Sequence, residues 1–206
     1  ERKQMYPRLG AKARHFNYYE IEDIDYYNVA TPMTDLFFKT TFEEGQLLDA
    51  LLTLNTSRRF NVSLAFKGFR SMGKYDLDEA ESGKFRATAN YITENGRYSL
   101  RAHIAAQNID AEENGGVSNK EEQFESGDPD FVDRSRVDTR FSSSDAGDSK
   151  ILGKRYHLEH QYKLLRTSKD SSRVEKTSLS LGHTFDYETK YYQFQQGTSN
   201  EYFGSV

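Results

Sequence analysis

Residues 85–91 read Phe85-Arg86-Ala87-Thr88-Ala89-Asn90-Tyr91, and residues 98–107 read Tyr98-Ser99-Leu100-Arg101-Ala102-His103-Ile104-Ala105-Ala106-Gln107, with Glu94-Asn95-Gly96 between them. Apolar and polar side chains alternate on both sides of the Asn-Gly pair. Successive side chains of a strand point to opposite faces, so each run has one apolar and one polar face. Asn-Gly supplies the positive-φ positions of a tight hairpin turn. The stretch therefore predicts two antiparallel strands, with Phe85, Tyr98 and Ile104 on one face and Arg86, Arg101 and His103 on the other.

The same period of two extends in both directions. Leu36, Phe38, Thr40 and Phe42 enclose Lys39 and Thr41. Leu48, Ala50, Leu52 and Leu54 oppose Asp49, Thr53 and Asn55, although Leu47 and Leu51 blur the polar side. Phe60, Val62, Leu64 and Phe66 alternate with Asn61, Ser63, Ala65 and Lys67. Further on, Tyr156, Leu158, His160, Tyr162 and Leu164 oppose Arg155, His157, Glu159 and Lys163. Leu179, Leu181, His183, Phe185 and Tyr187 oppose Ser178, Ser180, Thr184 and Asp186. About seven strands follow, several near ten residues; a tilted membrane strand needs about 9–11, against about 5–6 in globular proteins.

The connections differ in size. Those at 57–59, 94–96 and about 166–174 are short or moderate, whereas 68–83 and 108–150 are long. Short turns at one end and long loops at the other is the layout of an outer-membrane barrel. The four-residue connection Glu43 to Gln46 fits this layout less well, because topology places it at the long-loop end; a bulge is the alternative. Tyr18, Tyr19, Tyr26 and Tyr27 suit either an interfacial aromatic girdle or packing positions in an eighth, N-terminal strand. Residues 1–35 form a polar, aromatic lead-in, 36–189 the strands, and 190–206 a loop-like end of one barrel domain or part of one. A soluble antiparallel sheet with one wet face alternates in the same way.

Composition narrows the choice. With 35% hydrophobic residues the 206-residue chain is less apolar than most soluble domains, yet 14 Tyr and 14 Phe make it too aromatic for a disordered one. A net charge of -4 gives no basic field for nucleic acid. With no Cys, disulfides, thiolate metal sites and thiol catalysis are excluded. No apolar run is long enough for a transmembrane helix. Glu1-Arg2-Lys3-Gln4-Met5 has neither an initiating Met nor an apolar h-region, as expected of a processed chain or a fragment.

Several segments resemble, in order, a family of putative porins of Bacteroidota outer membranes. They are Asn17-Tyr18-Tyr19, Asp25 through Phe37, Phe42 through Asp49, Phe66 through Tyr75, and Gly153-Lys154-Arg155-Tyr156. The resemblance implies an all-β, antiparallel transmembrane barrel of the bacterial outer membrane, porin-like, with no catalytic motif to transfer. Family members are considerably longer, and Gly204-Ser205-Val206 lacks the terminal aromatic of a last barrel strand. The expectation is an N-terminal part of a longer barrel holding about 7–8 of its strands; a self-closed eight-stranded barrel is the lesser alternative.

In a barrel the polar parity faces the lumen and the apolar parity faces lipid. The lumen set is Lys39, Asp49, Lys67, Arg86, Arg101, His103, Arg155, His157, Glu159 and Lys163. Its net basic character leads to a mild anion preference. The lipid- or partner-facing set is Phe38, Leu52, Val62, Leu64, Phe66, Phe85, Tyr98, Ile104, Leu158, His160, Leu181 and His183. His160 and His183 are misfits there, suited to an interface with water or to a protein contact. Because His157 and His160 are three apart, they point to opposite faces and cannot share a metal; none is expected.

The span 108–133 is acidic, with Asp110, Glu112, Glu113, Glu121, Glu122, Glu125, Asp128, Asp130 and Asp133 against Lys120. Its spacing fits no EF-hand, so it reads as a solvated external loop. No phosphate loop, nucleophile elbow or zincin pattern occurs, and no cofactor is implied. The expected partners are outer-membrane lipid and other outer-membrane proteins, not nucleic acid. Three functions compete: a porin-like pore, a non-conducting docking subunit of a larger outer-membrane assembly, and a soluble lipocalin-type barrel. The last would enclose an apolar cavity.

Overall fold

In the computed structural model, residues 16–42, 44–127, 129, 137–144, 146–165 and 179–197 are described. They form one antiparallel seven-stranded sheet whose order in space is the order in sequence. The strands are β1 (Met33–Thr41), β2 (Gly45–Ser57), β3 (Phe60–Ser71), β4 (Ala80–Ile92), β5 (Tyr98–Glu113), β6 (Gly147–Leu165) and β7 (Leu179–Gln196). β1 and β7 are the edges, and the sheet does not close on itself. The only helical pieces described are a 3-10 turn, Ile21–Asp23, and a short helix, α1 (Lys120–Glu125). Each strand follows its neighbour through a reversal, as consecutive antiparallel strands do.

Pairing carries several strands past the limits that alternation sets. Gly68 pairs with Gly83, and Arg70 with Glu81, so 68–83 is no gap: only 72–79 connects β3 to β4. Asp110 pairs with Lys150, their side chains 3.0 Å apart, and the acidic loop shrinks from 108–150 to 114–146. The glutamine-rich segment read as a loop-like end is strand up to Gln196, paired to Gly147–Ile151. A backbone ladder needs no apolar side chain, so polar ends of strands stay paired where the period-two signal fades.

Two further expectations change. Of the Glu43 to Gln46 connection, the described residues 44–46 belong to a tight reversal between β1 and β2, so the bulge alternative falls away. Thr41 pairs with Gly45, Gly45 N–H donates to Phe42 O (3.2 Å), and Glu44 adopts φ 53°. Nor is there an eighth strand among the described N-terminal residues. Residues 16–32 run as an irregular strap across one face of the sheet before entering β1. The 166–174 connection, Asp128, Asp130, Asp133 and the segments Glu1–Met5 and Gly204–Val206 lie outside the described residues. Of 134–148, Val137 and Thr139 make isolated bridges to Tyr75 and Val117, and the last two residues open β6.

Burial is inverted relative to a soluble domain. The largest fully buried side chains are Arg155, Lys84, Ile151 and Thr53. Lys and Arg are almost never fully buried unless paired. Meanwhile Leu36, Phe38, Leu64, Phe66, Phe85, Ile104, Leu181 and Phe185 are exposed. A contiguous apolar face of this kind marks a surface made to meet something other than water.

Candidate functional site: two faces and an internal strap

The register sorts the side chains into cross-strand rows. One row runs Leu52, Leu64, Ala87, Ile104, Tyr156, Tyr187; the next runs Leu54, Val62, Ala89, Ala102, Leu158, Phe185. Phe38, Leu48 and the Ala50–Phe66–Phe85–Ala106 row continue the same face on the side of the longer loops. Beyond them the parity turns polar with Gln46, Arg70, Glu81, Asp110 and Lys150.

Toward the short turns the face ends in rings. Phe60 meets Tyr91 (6.4 Å between centroids), Tyr91 meets Tyr98 (6.3 Å), Tyr98 meets His160 (6.0 Å), and His160 meets His183 (5.3 Å). The two imidazoles also hydrogen-bond each other at 3.2 Å. The misfit histidines thus stand in an aromatic row and satisfy one another. From Tyr98 to Ala106 the strand runs about 27 Å at ~3.4 Å per residue, or roughly 20 Å of height at a tilt of about 40°. An outer-membrane apolar band is about 25 Å tall.

On the opposite face stand all ten residues of the basic set. Asp49 and Lys67 are cross-strand partners with an ion pair of 3.1 Å. His103 and His157 pair across β5 and β6 with rings stacked at 4.8 Å, and His157 Nδ1 lies 3.4 Å from Asp186. Arg86, Ala105, Arg155 and Glu188 form one row; Lys67, Lys84, Gln107, Gly153 and Lys190 form another. Lys39, Arg101, Glu159 and Lys163 remain exposed on this face. His157 and His160 lie on opposite faces of β6, and no metal-like cluster of His, Asp or Glu gathers among the described residues.

The strap covers this face diagonally. Tyr18 sits on Ile109 and Ile151 and is only 3% exposed. Gly153 makes its seat, because a Cβ there would lie 2.6 Å from the Tyr18 ring. Tyr18 Oη donates to Glu188 (2.7 Å), and Lys190 Nζ stands 3.8 Å from the ring centroid. Tyr19 N–H donates to Gln107 Oε1 and Gln107 Nε2 donates back to Tyr19 O, both at 2.9 Å, so one side-chain amide grips the strap as a neighbouring strand would. The Tyr19 ring lies 4.4 Å from Lys84 Nζ and 4.7 Å from Arg86 Cζ. Such cation–π contacts are worth about 0.5–2 kcal/mol each.

Glu20 completes a clasp. Arg155 donates to Glu20 (2.8 Å), to Glu188 (2.7 Å) and to Tyr19 O (3.0 Å), while Lys190 donates to the other Glu20 oxygen (2.9 Å). Farther along, the Tyr26 hydroxyl meets His103 Nδ1 at 2.8 Å. Asn55 holds the far end, donating to Asn28 (2.7 Å) and accepting from Val29 N–H (3.2 Å). The four tyrosines read as a girdle or a first strand are therefore strap residues on the polar face.

Burial and the Glu188 carboxylate push the Tyr18 phenol far above its ordinary range. Burial, then Glu159, pushes Tyr26 up to about 12. Burial works against ionisation of Glu20, but Lys190 and Arg155 outweigh it and hold the carboxyl below the ordinary range. A carboxyl whose folded pKa is depressed contributes stability fully above its unfolded value, about 4.3, and loses it as pH falls through the folded one. Hydrogen-exchange protection of the Tyr19 amide should therefore fall on acidification below about pH 4.3. Glu20→Gln should show the loosened state already at neutral pH, with no further step there. Unchanged protection across that range in both proteins would rule out the clasp as a titrating element.

Lys84, Glu188 and Lys190 belong to the site but fall outside the alternating runs as read from sequence. Parity offered the only signal, two residues before Arg86 and beyond Asp186. The strap has a plainer mark: residues 16–32 hold Glu20, Glu22, Asp23 and Asp25 with no Lys or Arg. Its acidity complements the basic face beneath it.

Compared with known families, residues 1–206 match the family model described as Putative porin. No curated protein and no solved structure matches the chain.

Proposed function

The chain belongs to the putative-porin family, and from that premise we propose that it forms the wall of an outer-membrane barrel passing small solutes with a mild preference for anions. Membership implies a membrane-embedded location and points to a non-enzymatic channel. The observation that carries the reading is the inverted burial: Arg155 and Lys84 are enclosed while Leu64, Phe66 and Phe85 are exposed. The exposed face, with its aromatic row, meets lipid; the basic face, under its strap, lines the lumen. Backbone groups cannot stay unpaired in hydrocarbon, so the ladder must close beyond the free edges of β1 and β7.

On the lumen side, Lys39, Lys67, Lys84, Arg86, Arg101, Arg155, Lys163 and Lys190 outnumber Asp35, Asp49, Glu113, Glu159, Asp186 and Glu188. Basic linings lower the barrier for anions. Glu20, Glu22, Asp23 and Asp25 of the strap offset that excess, so any preference is slight while the strap is in place. Reconstituted in a planar bilayer under a potassium chloride gradient, the protein should give a reversal potential on the chloride side. A reversal potential on the potassium side would overturn the selectivity; a folded barrel that never conducts would overturn the pore.

A further inference from the structure

We propose that the strap, residues 16–32, is the constriction and selectivity element of the pore: an acidic internal segment that occupies the basic lumen wall and, when displaced, leaves a wider and more anion-selective channel. The inference rests on the porin reading.

Three independent features carry it. The first is placement. The strap touches β7 through Glu188 and Lys190, β6 through Arg155, β5 through His103 and Gln107, β4 through Ser82, Lys84 and Asn90, and β2 through Asn55. A segment reaching from the seventh strand to the second lies across the lumen face, not along its margin. An object spanning a barrel wall in this way takes cross-section from any solute.

The second is charge. Four carboxylates and no cation in 16–32 lie over a wall where bases are in excess. Glu20 engages Arg155 and Lys190, and the Tyr19 ring engages Lys84 and Arg86. With the strap in place those cations are engaged from within; without it they face the solute.

The third is the kind of attachment. Among the described residues no backbone ladder joins strap to sheet; the grip consists of side-chain hydrogen bonds, ion pairs, cation–π contacts and one seated ring. Such contacts can be released singly, whereas a strand zipped into a sheet would come away only with its ladder. The seat at Gly153 is a steric notch, so filling it evicts Tyr18 and alters no charge.

Gly153→Val is therefore the decisive variant, since it leaves both the wall and the strap with their charges. A second construction keeps the test independent of that variant's folding. The chain has no Cys, so Asn17→Cys with Ser82→Cys introduces the only two thiols, at side chains in contact at 3.2 Å; a short bis-maleimide then tethers the strap to β4. Folded protein is selected by its heat-dependent gel shift, and single-channel conductance and reversal potential are read in planar bilayers.

The expected result is a several-fold higher conductance for Gly153→Val with reversal moved toward chloride, and suppression of the larger openings by the tether. Equal conductance and reversal in all forms, tethered or not, would overturn the constriction while leaving the pore intact. Folded barrels that never conduct, Gly153→Val included, would overturn the porin reading and this inference with it. Should Gly153→Val not fold, the comparison before and after tethering decides alone: suppressed openings support the strap's role, and unchanged openings overturn it.

Discussion

Leu64→Arg is expected to cost the folded protein about 2–4 kcal/mol in a phospholipid bilayer, and Leu181→Arg at most about 1 kcal/mol. Both leucines are exposed on the apolar face. They differ in depth. Leu64 shares its row with Ile104, between the Tyr98 row and the polar Asp110 row, whereas Leu181 pairs with Tyr162 in the row of Tyr98 itself. An arginine at the aromatic row can extend its head group to water while its stem stays apolar. At Leu64 it cannot reach either interface without distorting the wall.

The comparison also separates the membrane from the soluble reading. On a sheet face bathed in water, replacing an exposed leucine by arginine usually changes stability by no more than about 0.5 kcal/mol. The chain has no Trp, so unfolding by denaturant from vesicles is followed by far-UV circular dichroism. Equal, small losses at both positions would place this face outside hydrocarbon.

The two faces were legible in sequence because parity is local: a residue and its second neighbour share a face whatever the rest of the chain does. That is why spacing alone puts Leu64 and Lys67, or His103 and Ile104, on opposite faces of their strands. Strand ends were not legible for the converse reason. Asp110 with Lys150, and Arg70 with Glu81, are held by partners distant in sequence, and their polarity imitates a loop. The strap was the larger loss. Tyr18-Tyr19 and Tyr26-Tyr27 are adjacent pairs that fit no period, and they share no pattern with the Gln107, His103 and Glu188 side chains they meet. Side-chain docking of an irregular segment leaves composition as its only trace, here four carboxylates with no base among them.

That composition gives the second large effect, at Arg155. Arg155→Met keeps the volume of the side chain and removes its charge from a position only 1% exposed. Stripping one partner from a buried ion pair costs about 3–5 kcal/mol, since the other charge is left without compensation. Here the abandoned carboxylates are not fully enclosed: Glu188 is 26% exposed and Glu20 47%. Water screens Glu20 in particular, so the expected loss is reduced to about 2–3 kcal/mol. It should fall on the strap first, with the Tyr19 amide losing protection while the far-UV spectrum of the sheet persists. Removing the stranded charge as well, in Arg155→Met with Glu188→Gln, should recover about 1–2 kcal/mol, because the two residues act as one unit. Lys190→Gln should cost less than Arg155→Met, since Arg155 still binds both Glu20 and Glu188. A loss under about 0.5 kcal/mol for Arg155→Met, the range of an ordinary surface change, would mean that Glu20 and Glu188 find water as readily as they find the guanidinium. The strap would then be held by Tyr18 in its Gly153 seat and by Gln107, not by charge.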